Sequence, residues 1–147
     1  MSEMVELKND HPLAFILAGN CIFTVQNEQS GNRFTYRVRE PETQRDPARP
    51  IHFVDVLVGP DNHRDYQSLG FLFKGSEYVH SNKSRCGRDC QSEKVFIWMV
   101  ARLLDKGLPE TVKLYHHGYC GRCGRMLTVP SSIQLGLGPE CAGKSLW

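Results

Sequence analysis

From Arg33 to Arg39 the chain alternates without a break. Phe34, Tyr36 and Val38 fall on one side of an extended backbone, and Arg33, Thr35, Arg37 and Arg39 fall on the other. Successive side chains of a strand point to opposite faces, so this segment predicts a strand with one core face and one strongly basic face. The run Cys-Ile-Phe-Thr-Val-Gln at 21–26 predicts its hairpin partner, with the polar stretch 27–32 and Gly31 as the turn. Residues 51–58 are apolar enough for a buried strand, and Gly59-Pro60-Asp61-Asn62 is a turn signal. Residues 66–73 predict a further strand with Gly70 as a bulge candidate, and residues 78–80 a short edge strand. An antiparallel sheet of four or five strands is the expected result.

Two segments read as helix. Asp10-His11-Pro12 is a helix start ahead of the short apolar run 13–18, which Gly19 closes. Residues 92–107 hold seven consecutive apolar residues, Val95–Ala101, with Asp89 or Ser92 as a cap, Gly107 past the last turn and Pro109 beyond it. Length and caps favour a helix over a central strand. Its apolar content predicts burial over most of its circumference, with Trp98 in the core. Pro41, Pro47 and Pro50 among charges make residues 40–50 an exposed loop.

At 147 residues, with 40% apolar and 23% charged residues, the chain has the composition of an ordinary globular protein. No apolar run approaches the length of a membrane span, and the acidic start lacks the features of a signal peptide. These point to a cytoplasmic protein with no membrane partner, whose six cysteines stay reduced and serve as metal ligands or free thiols. The formal net charge of +2 is unevenly spread: residues 1–80 hold eight Lys/Arg against eleven Asp/Glu, residues 81–147 ten against five. A basic C-terminal half suits a polyanionic partner, although a solvated surface explains it almost as well.

The sharpest chemistry lies in Tyr115-His116-His117-Gly118-Tyr119-Cys120-Gly121-Arg122-Cys123-Gly124, followed seventeen residues later by Cys141. Two cysteines two residues apart can aim both sulfurs at one point when the backbone between them forms a knuckle, which Gly121 and Gly124 permit. Cys120, Cys123 and Cys141 with His116 or His117 offer a tetrahedral Zn²⁺ three sulfurs and one nitrogen, a closed structural set. Catalytic zinc would need an open position and a base, and Glu140 is the only acid close by. Residues 125–130 predict the second arm of a small hairpin, and Pro139-Glu140-Cys141 a last short helix carrying a ligand in its first turn. The whole is a treble-clef or zinc-ribbon arrangement, too small to hold a core without metal.

These residues also carry a resemblance. The run His116-x-Gly118-x-Cys120-Gly121-Arg122-Cys123-Gly124-Arg125-x-Leu127-Thr128-x-Pro130-x-Ser132-Ile133-x-x-Gly136-x-Gly138-Pro139-x-Cys141 resembles the DUF6011 family of uncharacterised proteins of bacteriophages and other mobile elements. Segments 12–20 and 31–36 are similar to longer phage proteins with this tail. The resemblance implies zinc, matches His116 as the nitrogen ligand, and implies a phage setting inside a bacterial host. It implies no activity.

The expected architecture is therefore α+β: an antiparallel sheet packed with one long helix over residues 1–110, then a zinc-binding module over 111–147. Arg33, Arg37 and Arg39, with Arg45 and Arg49 in the following loop, could lie along phosphates, and Lys83, Arg85, Arg88, Arg122 and Arg125 form a second basic group with Arg122 at the knuckle tip. The bland alternative is a solvated face partnered by Glu40, Glu42 and Asp46. Cys86 and Cys90 read as free thiols, and His52, His63 and His80 as ordinary residues without placed partners. No nucleophile–base pair, phosphate loop or paired carboxylates stand out, so no enzymatic activity and no small-molecule substrate are expected. The leading functional expectation is a phage accessory protein with structural zinc that binds nucleic acid or a nucleoprotein complex. The alternative is an inhibitor of a host protein, of the anti-CRISPR type, and a weaker third is a zinc hydrolase.

Overall fold

Alternation builds the sheet and a single bulge re-phases it. The computed structural model describes residues 4–7, 12–61, 64–84, 90–127, 133 and 136–138. Among these, seven strands form one antiparallel sheet and two helices pack on it, an α+β architecture. In chain order the elements are β1 (Val5–Glu6), α1 (Pro12–Ile16), β2 (Asn20–Asn27), β3 (Arg33–Arg39), β4 (Ile51–Leu57), β5 (Tyr66–Phe73), β6 (Glu77–His80), α2 (Gln91–Leu104) and β7 (Val112–His116). The spatial order is β1-β7-β2-β3-β4-β5-β6. The expected starts and stops at Asp10, His11, Asn62 and Asp89, the hairpin arm beyond Leu127 and the last helix at Pro139–Cys141 lie outside the described residues. So do His63, Arg85, Cys86, Arg88 and Cys141.

The β2–β3 hairpin closes through an Asx turn. Asn27 Oδ1 accepts the amides of Gln29 and Ser30, and Gly31 takes φ +77°. In β5 the register shifts opposite Val54/Asp55, so Leu69 is an extra residue between Ser68 and Gly70. That bulge turns Leu69 and Leu72 inward together and leaves Tyr66, Phe71 and Phe73 half-buried. Gly70 beside it must be glycine: a Cβ there would sit 2.4 Å from the Tyr78 hydroxyl and 2.5 Å from the Val79 carbonyl oxygen.

Both helices cover the face that carries Cys21, Phe23, Tyr36, Val38, Val54 and Leu114. Phe96 of α2 packs between Tyr36 and Tyr78, at ring centroid distances of 5.3 and 5.8 Å. Full burial of a ring of this size stabilises by about 1.5–3 kcal/mol. The Tyr36 hydroxyl donates to the carbonyl of Ser92 at 2.7 Å, fixing the start of the helix over the sheet. Gly107, at φ +84°, donates its amide back to Arg102 and ends the helix as expected.

Four expectations are corrected. Burial of α2 is one-sided: Glu93, Phe96, Met99 and Val100 face the core, whereas Trp98 is 40% exposed rather than buried. A run of seven apolar residues on a helix necessarily places some on its outer side. Cys90 is disulfide-bonded and is not a free thiol. His52 and His80 have partners: His52 Nε2 lies 3.1 Å from the Leu17 carbonyl, and His80 Nδ1 pairs with the buried Glu93, which also accepts the Tyr78 hydroxyl at 2.6 Å. The sheet has seven described strands rather than four or five, because β7, which starts just after the boundary expected at residue 110, pairs with both β1 and β2. The segment assigned to the metal module therefore begins inside the sheet.

Candidate functional site

The knuckle grows from the end of β7. Gly118, at φ +85°, turns the chain out of the strand, and an isolated bridge joins Tyr119 to Met126. The Cys120 amide donates to the Arg125 carbonyl at 2.8 Å, Gly124 to Cys120 at 2.9 Å, and Leu127 to Gly118 at 2.8 Å. Gly124 takes φ +77°, the left-handed turn the pattern requires.

Gly121 serves another purpose. Its φ is ordinary, but a Cβ there would lie 2.6 Å from two ring carbons of Phe15 in α1. Its carbonyl accepts the Asn20 amide and its own amide donates to Gly136, so the knuckle is seated on α1 and the start of β2.

The Cys120 sulfur lies in this seat, 1% exposed, and accepts amide N–H bonds from Arg122 and Gly138, each at 3.4 Å. Burial on its own would raise its pKa. Bonds from the backbone of Cys123, Gly138 and Arg122, and from the Cys123 side chain, outweigh burial and bring the thiol down to about 7. Bonds from Gly138 tie Cys120 to the stretch that leads to Cys141. Cys123, on the rim, is exposed.

Strand alternation separates the two histidines. His116 points to the helix-covered face, fully buried, with its ring 5.9 Å from that of Phe15. Its Nδ1 accepts the Gly118 amide at 3.0 Å and its Nε2–H donates to the Ile133 carbonyl. Burial pushes the His116 pKa below its usual value. His117 points to the opposite face, where Nε2 meets the Thr24 hydroxyl at 2.9 Å.

The fit to a metal divides accordingly. The Cys120 sulfur is hydrogen-bonded as a thiolate requires and the Cys123 side chain lies beside it, whereas both His116 nitrogens are already engaged. Among the described residues no three His, Cys, Asp or Glu side chains gather into a metal-holding set.

The second candidate region is the sheet face opposite the helices. Arg37 donates through Nε and Nη2 to Asp55 Oδ2 at 3.1 and 2.9 Å, and Arg39 Nε donates to the same oxygen at 3.0 Å. Asp55, not the loop acids expected, is their partner. Each guanidinium also lies over a ring: Arg37 over Tyr66 at 4.5 Å and Arg39 over Phe53 at 5.3 Å, while Arg49 from the loop covers Phe73 at 4.1 Å. Phe53 and Phe71 stack edge-on at 5.7 Å.

The topology brings Arg39 and the knuckle to the same end of the sheet, because Asn20 pairs with Arg39 and bonds Gly121. Arg33 lies at the other end, about 20 Å away at a strand rise of roughly 3.3 Å per residue. Arg125 is exposed and Arg122 half-buried at the knuckle. A cavity of about 220 Å³ lies between α2 and the β2–β3 hairpin, lined by Phe34, Val95, Trp98 and Val112 among others, at the end of β7 away from the knuckle. Sequence reasoning missed Asp55, Tyr66 and Phe53 as parts of this face. A lone aspartate inside an apolar strand was the available signal.

Residues 115–146 match the model of a family of unknown function, DUF6011. The match begins within β7 and covers the knuckle, so it defines a C-terminal domain of uncharacterised type. No curated protein and no solved structure matches the chain. No helix among the described residues is long and apolar enough to cross a membrane.

Proposed function

We propose that this chain is a non-enzymatic nucleic-acid-binding protein whose C-terminal domain is held by structural zinc. The observation that carries the reading is the helix-free sheet face, on which three guanidiniums each lie over an aromatic ring. Arginines stacked on rings are preordered, so they bind phosphates without a large further loss of side-chain entropy. Half-buried Tyr66, Phe53, Phe71 and Phe73 between them offer stacking surfaces for unpaired bases, which favours a single strand over a duplex. In the ion pairs of this region three guanidiniums, of Arg37, Arg39 and Arg49, meet the two carboxylates of Asp55 and Glu77.

Cys120, Cys123 and Cys141 are the proposed sulfur ligands. His116 is the candidate fourth donor, and its Nε2 would have to leave the Ile133 carbonyl to serve. Bound zinc would supply a cross-link between the knuckle and the segment after Gly138. The chain's own contribution is the seat: Phe15 under Gly121, and amides that stabilise the Cys120 thiolate. In this way the metal would hold Arg122 and Arg125 near the Arg39 end of the face. The resemblance to a family met in phages makes an accessory role during infection of a bacterial host the proposed setting.

Fluorescence anisotropy with a labelled single-stranded oligonucleotide tests the reading. Affinity should fall steeply between 50 and 200 mM salt, by roughly tenfold or more for three to four phosphate contacts, and Arg39→Glu should weaken it further. Salt-independent binding, or none at low salt, contradicts it. Capture of one host protein that survives nuclease treatment would instead support the inhibitor reading.

A further inference from the structure

We propose that the chain forms a two-fold symmetric dimer through the outer face of α2. The inference is independent of nucleic-acid binding and of zinc. Ile97, Trp98 and Leu104 are 43, 40 and 53% exposed, and exposed Ala101 lies between them. The core side of the helix is already satisfied by Phe96, Met99 and Val100 against the sheet. A contiguous apolar strip of this kind on a surface helix marks a contact surface.

The charges on the strip select the occupant. Lys94 opens the exposed face and Asp105 closes it, both exposed and nearly on one line along the helix axis. Two parallel copies would set lysine against lysine and aspartate against aspartate. Two antiparallel copies related by a dyad set each Lys94 near the Asp105 of the second copy. Placing the dyad between residues 100 and 101 brings Ile97 opposite Leu104 of the second copy and Ala101 to the axis. Lys94 and Asp105 are then offset by about two residues, roughly 3 Å at a rise of 1.5 Å per residue.

Size therefore sets the register, and the charges meet in it to within one helical turn. The small Ala101 allows the helix axes to approach to about 8–10 Å, Ile97 and Leu104 interlock beside it, and Trp98 covers the flank. The surface is self-complementary, as a two-fold contact requires. Antiparallel helices also oppose their dipoles favourably.

Sedimentation equilibrium of the full chain over about 1–100 µM tests this, a range that spans weak to moderate homodimers. The expected result is a monomer–dimer equilibrium that Ile97→Glu abolishes, with the circular dichroism of the variant unchanged because the site is exposed. Lys94→Asp and Asp105→Lys should each weaken dimerisation about tenfold, since each turns two exposed attractions into repulsions. Combining them should restore the wild-type constant to within about threefold. A wild-type monomer at every concentration overturns the proposal, and so does a dimer indifferent to Ile97→Glu. A double variant as weak as the singles also overturns it, and would mean that another partner or another segment of the chain covers the strip.

Discussion

Asp55→Asn is the most informative single change, because stability and binding should move in opposite directions. The Asp55 side chain is 4% exposed and its Oδ2 accepts three bonds from two guanidiniums. A charge-assisted bond contributes about 1.5–3 kcal/mol when buried, but exposure of the partners reduces that. Arg37, at 25% exposed, and Arg39, at 45%, retain roughly 1–1.5 and 0.5 kcal/mol respectively. Asparagine keeps the shape and one acceptor, so the loss should be about 1.5–2 kcal/mol. For a chain of this size that lowers the melting temperature by about 4–8 °C in a calorimetric scan. Removing the one buried negative charge beneath the arginines should at the same time raise affinity for a single-stranded oligonucleotide about three- to tenfold at low salt. The assay is anisotropy well below the melting temperature of the variant. Loss of stability with unchanged affinity would refute the reasoning that this face meets phosphates. Unchanged stability would refute the assignment of Asp55 as the clamp.

Gly121→Ala should destabilise by about 1–3 kcal/mol, since a methyl cannot enter the 2.6 Å gap to Phe15, and Phe15→Leu in the same chain should recover part of the loss in thermal unfolding. Alkylation followed by mass spectrometry should find Cys21 protected: it is fully buried, and burial pushes its thiol up to about 12, whereas exposed Cys123 of chelator-treated protein should react first. In chelator-treated protein the Cys120 thiol, at about 7 against an ordinary 9.0, adds stability that is complete above pH 9 and lost as pH falls through 7. Denaturant midpoints should therefore rise from pH 7 to 9 by more in the parent than in Cys120→Ala.

Most strands with one buried face were legible. Alternation at 33–39, the polar turn at 27–32 and the run at 66–73 each matched an element, because period two and turn chemistry are local signals. β7 was not recognised as sheet although Val112, Leu114 and His116 alternate, since its partners are β2 and the N-terminal β1, remote in sequence. The outward turn of Trp98 was hidden for a different reason. An all-apolar run has no polar side to mark which face meets water, and only packing against Tyr36 and Tyr78 decides it. At the knuckle, spacing anticipated the turn at Gly124, which takes φ +77°. It assigned Gly121 to backbone freedom when the need is room for Phe15, a residue more than a hundred positions away. The separation of His116 from His117 follows from strand alternation once β7 is known. Asp55 as partner of Arg37 and Arg39 needed the β3–β4 register, which no local pattern supplies.

The most direct test of the central claim is a titration of ¹⁵N-labelled chain with a short single-stranded oligonucleotide, followed residue by residue in low salt. The account predicts that the amide shifts concentrate on β3, β4 and β5 around Arg37, Phe53 and Tyr66 and on the knuckle at Arg122 and Arg125. Shifts confined to α2, or a spectrum that does not change, would contradict it.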